Sequence, residues 1–109
     1  MEENNELIIA CKNGDIKTVD RCIAEGTDIF AKDNKGRTAL FYAAENGRLD
    51  IVKKLIFSLR GTGFAPPRQG FLEIKNNNGE NAADIAGKKG HNEIVDLILS
   101  EIARMKYFE

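Results

Sequence analysis

One spacing limits what this chain can become: a glycine that closes a short apolar segment recurs at Gly14, Gly47 and Gly90. Placing Gly47 on Gly14, an offset of 33, carries Ala43 onto Ala10, Val52 onto Val19 and Ile56 onto Ile23. Placing it on Gly90, an offset of 43, carries Gly36 onto Gly79, Ala43 onto Ala86 and Val52 onto Val95. A period of 33 with one insertion of 10 residues accounts for most of the chain. The clearest copy, residues 33–55, reads as a turn, a short helix opened by Thr38, a glycine stop, and a second helix carrying Leu49, Ile51, Val52 and Leu55.

The run Gly36-Arg37-Thr38-Ala39-Leu40-Phe41-Tyr42-Ala43-Ala44-Glu45-Asn46-Gly47, followed by Leu49-Asp50-Ile51-Val52, resembles an ankyrin repeat. Gly26-Thr27-Asp28-Ile29 and Gly90-His91-Asn92-Glu93-Ile94-Val95 match other stretches of that pattern. The resemblance implies an all-α fold, a solenoid of stacked helix-turn-helix units with hairpin-like finger loops between them. The family's usual proline is replaced by Ala39 and Ala82, and its usual histidine by Phe41 and Asp84, which weakens loop-to-loop hydrogen bonding.

With 109 residues the chain is expected to form one domain. Its expected units are repeat 1 at about 1–32, repeat 2 at about 33–75 with an inserted loop at about 59–71, and repeat 3 at about 76–109 with an extended C-terminal capping helix. Three units are near the minimum, because each buries its apolar face only against a neighbour. The balance of 16 basic and 17 acidic residues disfavours binding driven by phosphate neutralisation. No apolar run approaches the roughly 20 residues of a spanning helix, and the acidic start is unlike a secretory leader. A cytoplasmic monomer is expected, with no membrane association. Cys11 and Cys22 are expected as reduced core thiols.

Asn5, Thr38 and Asn81 occupy one position in the three copies, and each can accept a hydrogen bond from a free amide of its helix's first turn. The outer helix of repeat 1 is expected at about 16–25. Residues 59–71, with three glycines and Pro66-Pro67, are expected as loop, and the second finger at 72–80. Phe64 and Phe71 either fold back over the repeats or dock a partner. The last helix is expected from about 92 to 108, with Ile94, Val95, Ile98, Leu99, Ile102 and Met105 on one face and Glu93, Asp96, Glu101, Arg104 and Lys106 on the other.

Catalytic chemistry finds little purchase. The single histidine, His91, sits where the family commonly has a Gly-His pair, so a structural role is expected for it. Cys11, Cys22 and His91 lack zinc-ligand spacing, and Gly61-Thr62-Gly63 lacks the strand and helix of a phosphate loop. No catalytic residue, cofactor or metal is expected, and the chain reads as a non-catalytic protein-protein interaction module.

The resemblance implies a concave face of fingers and inner helices. In the central copy this face holds Lys32, Asn34, Lys35, Arg37, Tyr42, Glu45 and Asn46. The third copy adds Lys75, Asn77, Asn78, Glu80, Ile85, Lys88 and Lys89, the first Ile9, Lys12 and Asn13, and the insertion Phe64. Tyr42 is expected as the interface anchor, and the lysines point to a protein partner with an acidic patch. The alternative is nucleic-acid or anionic-ligand binding through the basic fingers with Arg60 and Arg68.

Overall fold

The computed structural model describes residues 5–60 and 68–107. Among them the fold is all-α, with no strand: α1 (Glu6–Asn13), α2 (Ile16–Ala24), α3 (Ala39–Glu45), α4 (Leu49–Arg60), α5 (Arg68–Glu73), α6 (Ala82–Lys88) and α7 (Asn92–Tyr107). The short helices α1, α3 and α6 lie side by side as an inner row, and α2, α4 and α7 pair with them as an outer row. Small residues bring the inner helices close. Ala10, Ala43, Ala44, Ala83 and Ala86 are all buried there, and Leu7, Ile8, Leu40 and Phe41 fill the space between helices. The outer row supplies Val19, Cys22, Ile51, Val52, Leu55, Ile56, Ile94 and Ile98 to the same core.

Gly14, Gly47 and Gly90 all adopt left-handed backbone, with φ of 71°, 70° and 79°. There a side chain would clash with its own carbonyl, which is why this position selects glycine in every copy. The helix starts are less uniform. Asn5 Oδ1 accepts from the amides of Leu7 (2.8 Å) and Ile8 (3.1 Å). Asn81 forms a reciprocal box, its Oδ1 accepting from the Asp84 amide at 2.8 Å while Asp84 Oδ2 accepts from the Asn81 amide at 3.0 Å. Thr38 departs from the expectation. Its hydroxyl is buried without a partner, and the Phe41 amide donates instead to the Thr38 carbonyl at 3.1 Å. Three residues on, where Asp84 reciprocates for Asn81, Phe41 offers only an apolar ring.

Residues 59–71 are not loop throughout. Helix α4 runs on to Arg60, and α5 begins at Arg68 and takes in Leu72 and Glu73, which were expected in the finger. Helix α5 packs on α7, and Phe71 and Leu72 are buried. The Phe71 ring centroid lies 5.0 Å from that of Phe30, tilted by 58°. Phe71 therefore folds back on the repeats. Phe64 lies outside the described residues, as do the side chains of Arg60 and Arg68.

Helix α7 buries Ile94, Ile98 and Ile102, but two expected faces are exchanged: Leu99 is 51% exposed and Glu101 only 7%. The inward stripe follows 94, 98, 101 and 102, so Leu99 falls outside it and Glu101 inside. Arg104 bonds the Glu101 carboxylate at 3.0 Å. Both cysteines are buried free thiols. Burial, and secondarily the neighbouring Cys22, pushes the Cys11 thiol up to about 12.

Candidate functional site

The two fingers are built by one device used twice. Asp33 Oδ1 accepts from the amides of Lys35 (2.9 Å) and Arg37 (3.0 Å), and 43 residues later Asn76 Oδ1 accepts from those of Asn78 (2.9 Å) and Glu80 (3.0 Å). A side chain that mimics a backbone carbonyl closes each turn, with Gly36 and Gly79 at positive φ completing it. The second finger is tied to the first, for Asn77 donates through its amide to the Lys35 carbonyl and through Nδ2 to that of Asn34, both at 3.0 Å.

Further bonds fix one repeat on the next. Asn46 Nδ2 donates to the carbonyls of Lys12 (3.0 Å) and Cys11 (3.3 Å), and Arg48 Nη1 donates to that of Gly14 at 2.7 Å. His91 occupies the register of Arg48 one repeat later, and its Nε2 lies 3.1 Å from the Glu45 carbonyl oxygen. The single histidine thus serves as a junction residue. A Cβ at Gly47 would sit 2.6 Å from its ring.

Tyr42, expected as an open anchor, is only 7% exposed. Two long side chains cover it: Lys12 Nζ stands 4.8 Å from the ring centroid and Arg37 Cζ 5.3 Å. Each such contact contributes about 0.5–1 kcal/mol at an exposed site. The Tyr42 hydroxyl donates to Asp33 Oδ2, which links the inner helix to the base of the finger. Desolvation, and then the hydrogen bond and charge of Asp33, push the phenol up to about 12. Partial burial works against ionisation of Asp33, but the Tyr42 hydroxyl, the amides of Arg37 and Lys35 and the Lys12 charge outweigh it. The carboxyl titrates below its usual range.

The charged positions of this face alternate. Arg37 bonds Glu45 at 3.3 Å, and in the same two registers one repeat later Glu80 is paired with Lys88, the signs exchanged. The hydrogen bond from Lys88 holds the Glu80 carboxyl below its usual range, helped by Asn76. Of the remaining expected contact residues, Lys32, Asn34, Lys35, Asn46, Asn78 and Lys89 are exposed, and Asn46 also donates its amide into the junction. Phe64 is not among the described residues. The expectation passed over Asp33, Asn76 and Arg48. The signal for the first two was available, since each stands three residues before its finger glycine. Among the described residues no three His, Cys, Asp or Glu side chains gather as a metal-ligand set, and no helix is long and apolar enough to cross a membrane.

Residues 7–107 match the family model described as ankyrin repeats in three copies. An ankyrin repeat protein of Rickettsia felis is 43% identical over 49 residues, which are 45% of this chain and 78% of that one. The mitochondrial liver isoform of glutaminase from Rattus norvegicus is 32% identical over 92 residues, or 84% of this chain but 14% of the enzyme. Among solved structures, a chain in the complex of the Bd0816 predatory endopeptidase from Bdellovibrio bacteriovorus with immunity protein Bd3460 superposes with a TM-score of 0.70. It is 30% identical, and the match covers 87% of this chain and 45% of that one.

Proposed function

Because this chain belongs to the ankyrin repeat family, we propose that it acts as a non-catalytic protein-protein interaction module, an adaptor, scaffold or inhibitor that holds a protein partner against its fingers and inner helices. The observation that carries this reading is the set of bonds by which the second finger and the Asn46, Arg48 and His91 side chains lock each repeat to the one before. Such a face is preorganised, so little conformational entropy is lost when a partner docks. The partner-binding residues are then Lys32, Asn34, Lys35, Arg37, Glu45, Asn46, Asn78, Glu80, Lys88 and Lys89, with Tyr42 supporting them from beneath. The solved complex of an endopeptidase with its immunity protein, in which a similar chain occurs, supports a role in protein assembly.

Asp84 and Gly87 of α6 are exposed where their register-mates Phe41 and Ala44 are buried. This supports a monomer whose last repeat is a cap. The buried thiols suit a reducing compartment, so the cytoplasm is the proposed location.

The test is affinity capture from an extract of the parent cells with three proteins: the intact chain, a Lys35→Glu/Lys89→Glu variant on the finger side, and a Lys17→Glu/Lys53→Glu variant on the outer row. A protein partner lost only by the finger-side variant is the expected result. Loss with the outer-row variant overturns the assignment of the face. Retention of nucleic acid alone, with steep salt dependence on heparin, replaces the reading by the anionic-ligand one.

A further inference from the structure

The alternation on the inner face is incomplete at one end. The register that holds Glu45 in repeat 2 and Lys88 in repeat 3 holds Lys12 in repeat 1, since 12 + 33 = 45 and 45 + 43 = 88. Their partners in repeats 2 and 3 are Arg37 and Glu80. Repeats 2 and 3 therefore close their own ion pairs, and among the described residues Lys12 forms none. Lys12 is exposed and its ammonium is held over the Tyr42 ring, whose hydroxyl bonds the Asp33 carboxylate. Asp33 is already engaged by a hydroxyl and two amides, and Glu45 by Arg37, so neither consumes the ammonium's donors.

One turn before Lys12 on the same face of α1, Ile9 is 40% exposed. In the registers one and two repeats later stand Tyr42 and Ile85, both buried. The first repeat alone thus presents an uncovered aliphatic side chain beside an unpaired cation.

We propose that this end of the face, Ile9 with Lys12 over Tyr42, receives an acidic segment of the protein partner, an Asp or Glu carboxylate next to an aliphatic side chain. The inference rests on the interaction reading above and names its docking point. The partner's carboxylate takes the place that Glu80 occupies for Lys88, supplied by another chain instead of by a finger. A carboxylate directed at Arg37 or Lys88 would have to break a pair already formed, and the exposed Lys35 and Lys89 belong to repeats whose inner helices expose no large aliphatic side chain, so charge and apolar contact together select Lys12 with Ile9.

The experiment titrates the intact, isotope-labelled chain with a capped Leu-Glu-Leu-Asp peptide and, separately, with its Leu-Gln-Leu-Asn counterpart, following amide and side-chain signals by NMR. Saturable shifts at Ile9, Lys12 and Tyr42 with the acidic peptide alone are expected. Lys12→Gln should weaken its binding about fivefold, the scale of one exposed charge pair. Lys53→Gln, on the outer row, should change it less than about twofold by the same scale. Melting of both variants shows that the fold persists, and Ile9→Ser, which leaves the charges in place, should weaken binding independently.

Equal shifts with the neutral peptide, or an equal loss with Lys53→Gln, overturn the inference. So does tighter binding of an oligothymidine at the same signals, which would make the site one for nucleic acid. Shifts confined to Lys35 and Lys89 and indifferent to Lys12→Gln overturn it too, while leaving the broader interaction reading intact. Absence of any shift, with partner capture still lost in the finger-side variant, likewise sinks the docking point alone.

Discussion

The two junctions of the stack solve one problem with different materials. Between repeats 1 and 2, the guanidinium of Arg48 reaches over Gly14 on a flexible side chain, and the outer helices α2 and α4 meet directly. Between repeats 2 and 3, a rigid imidazole lies over Gly47, the fingers are bonded together, and α5 is packed on α7 beside the Phe30 ring. The first junction can adjust, and the second is wedged. Flexible material tolerates an intruding methyl group, whereas a ring that moves as a block gives up its contact with the Glu45 carbonyl.

The largest test of the wedge is Phe71→Ala. Removing a fully buried aromatic should cost about 3–5 kcal/mol in urea unfolding. Phe30→Ala, whose ring is partly in water, should cost less than half of that. Equal costs would mean that α5 contributes no more than the exposed ring it touches.

Next come the glycines. All three junction glycines have positive φ, so alanine costs each about 1–2 kcal/mol in backbone strain. Gly90→Ala, with nothing within 4 Å of the new Cβ, gives that baseline. Gly14→Ala should add less to that baseline than Gly47→Ala, because the Arg48 side chain can pivot and bring another of its N–H groups to the Gly14 carbonyl. Gly47→Ala should exceed it by about 1–2 kcal/mol as His91 is displaced from the Glu45 carbonyl. Melting temperatures falling in the order 90, 14, 47 would support the contrast, and a reversed order of 14 and 47 would break it.

Tyr42→Phe probes the first junction through pH. The folded phenol titrates near 12, above its usual value of about 10, so its contribution is complete below about pH 10 and is lost as pH rises towards 12. The wild type should therefore lose stability between pH 10 and 12 more steeply than the variant. The buried thiols act with the same sign in both proteins, so the difference belongs to Tyr42. At neutral pH the variant should be weaker by about 1 kcal/mol, from the lost bond to Asp33. Asp33, depressed in the folded state, works at the other end: its contribution is present above about pH 4 and fades as acid protonates it.

The smallest effect concerns the helix starts. Thr38→Val should stabilise by up to about 1 kcal/mol, since it removes a buried hydroxyl that bonds nothing. Asn81→Ala should destabilise by about 1 kcal/mol as the reciprocal box opens.

Much of this architecture was legible because glycine at positive φ is nearly irreplaceable. Gly14, Gly47 and Gly90 marked the helix ends, and Asn5 and Asn81 marked two of three starts. Thr38 misled, since its type suits a cap but the outcome depended on Phe41, three residues away, turning it into a core position. The insertion misled for the opposite reason. Its glycines and prolines speak of loop, yet the six residues of α5 follow the prolines, take in Gly70 itself and gain their stability from tertiary contact with α7, which no local pattern announces. Tyr42 was rightly placed on the inner helix, but long neighbouring side chains folded over its ring, and spacing alone does not record where a lysine stem lies.

The side-chain bonds that join the repeats run one way: Asn46, Arg48, Asn77 and His91 each stand in the later repeat and grasp backbone carbonyls of the earlier one. As this chain leaves the ribosome, every emerging unit brings donors to carbonyls already synthesised, and covers the apolar face of the unit before it in the same step. Assembly can therefore keep pace with translation, each repeat serving as the template on which its successor closes.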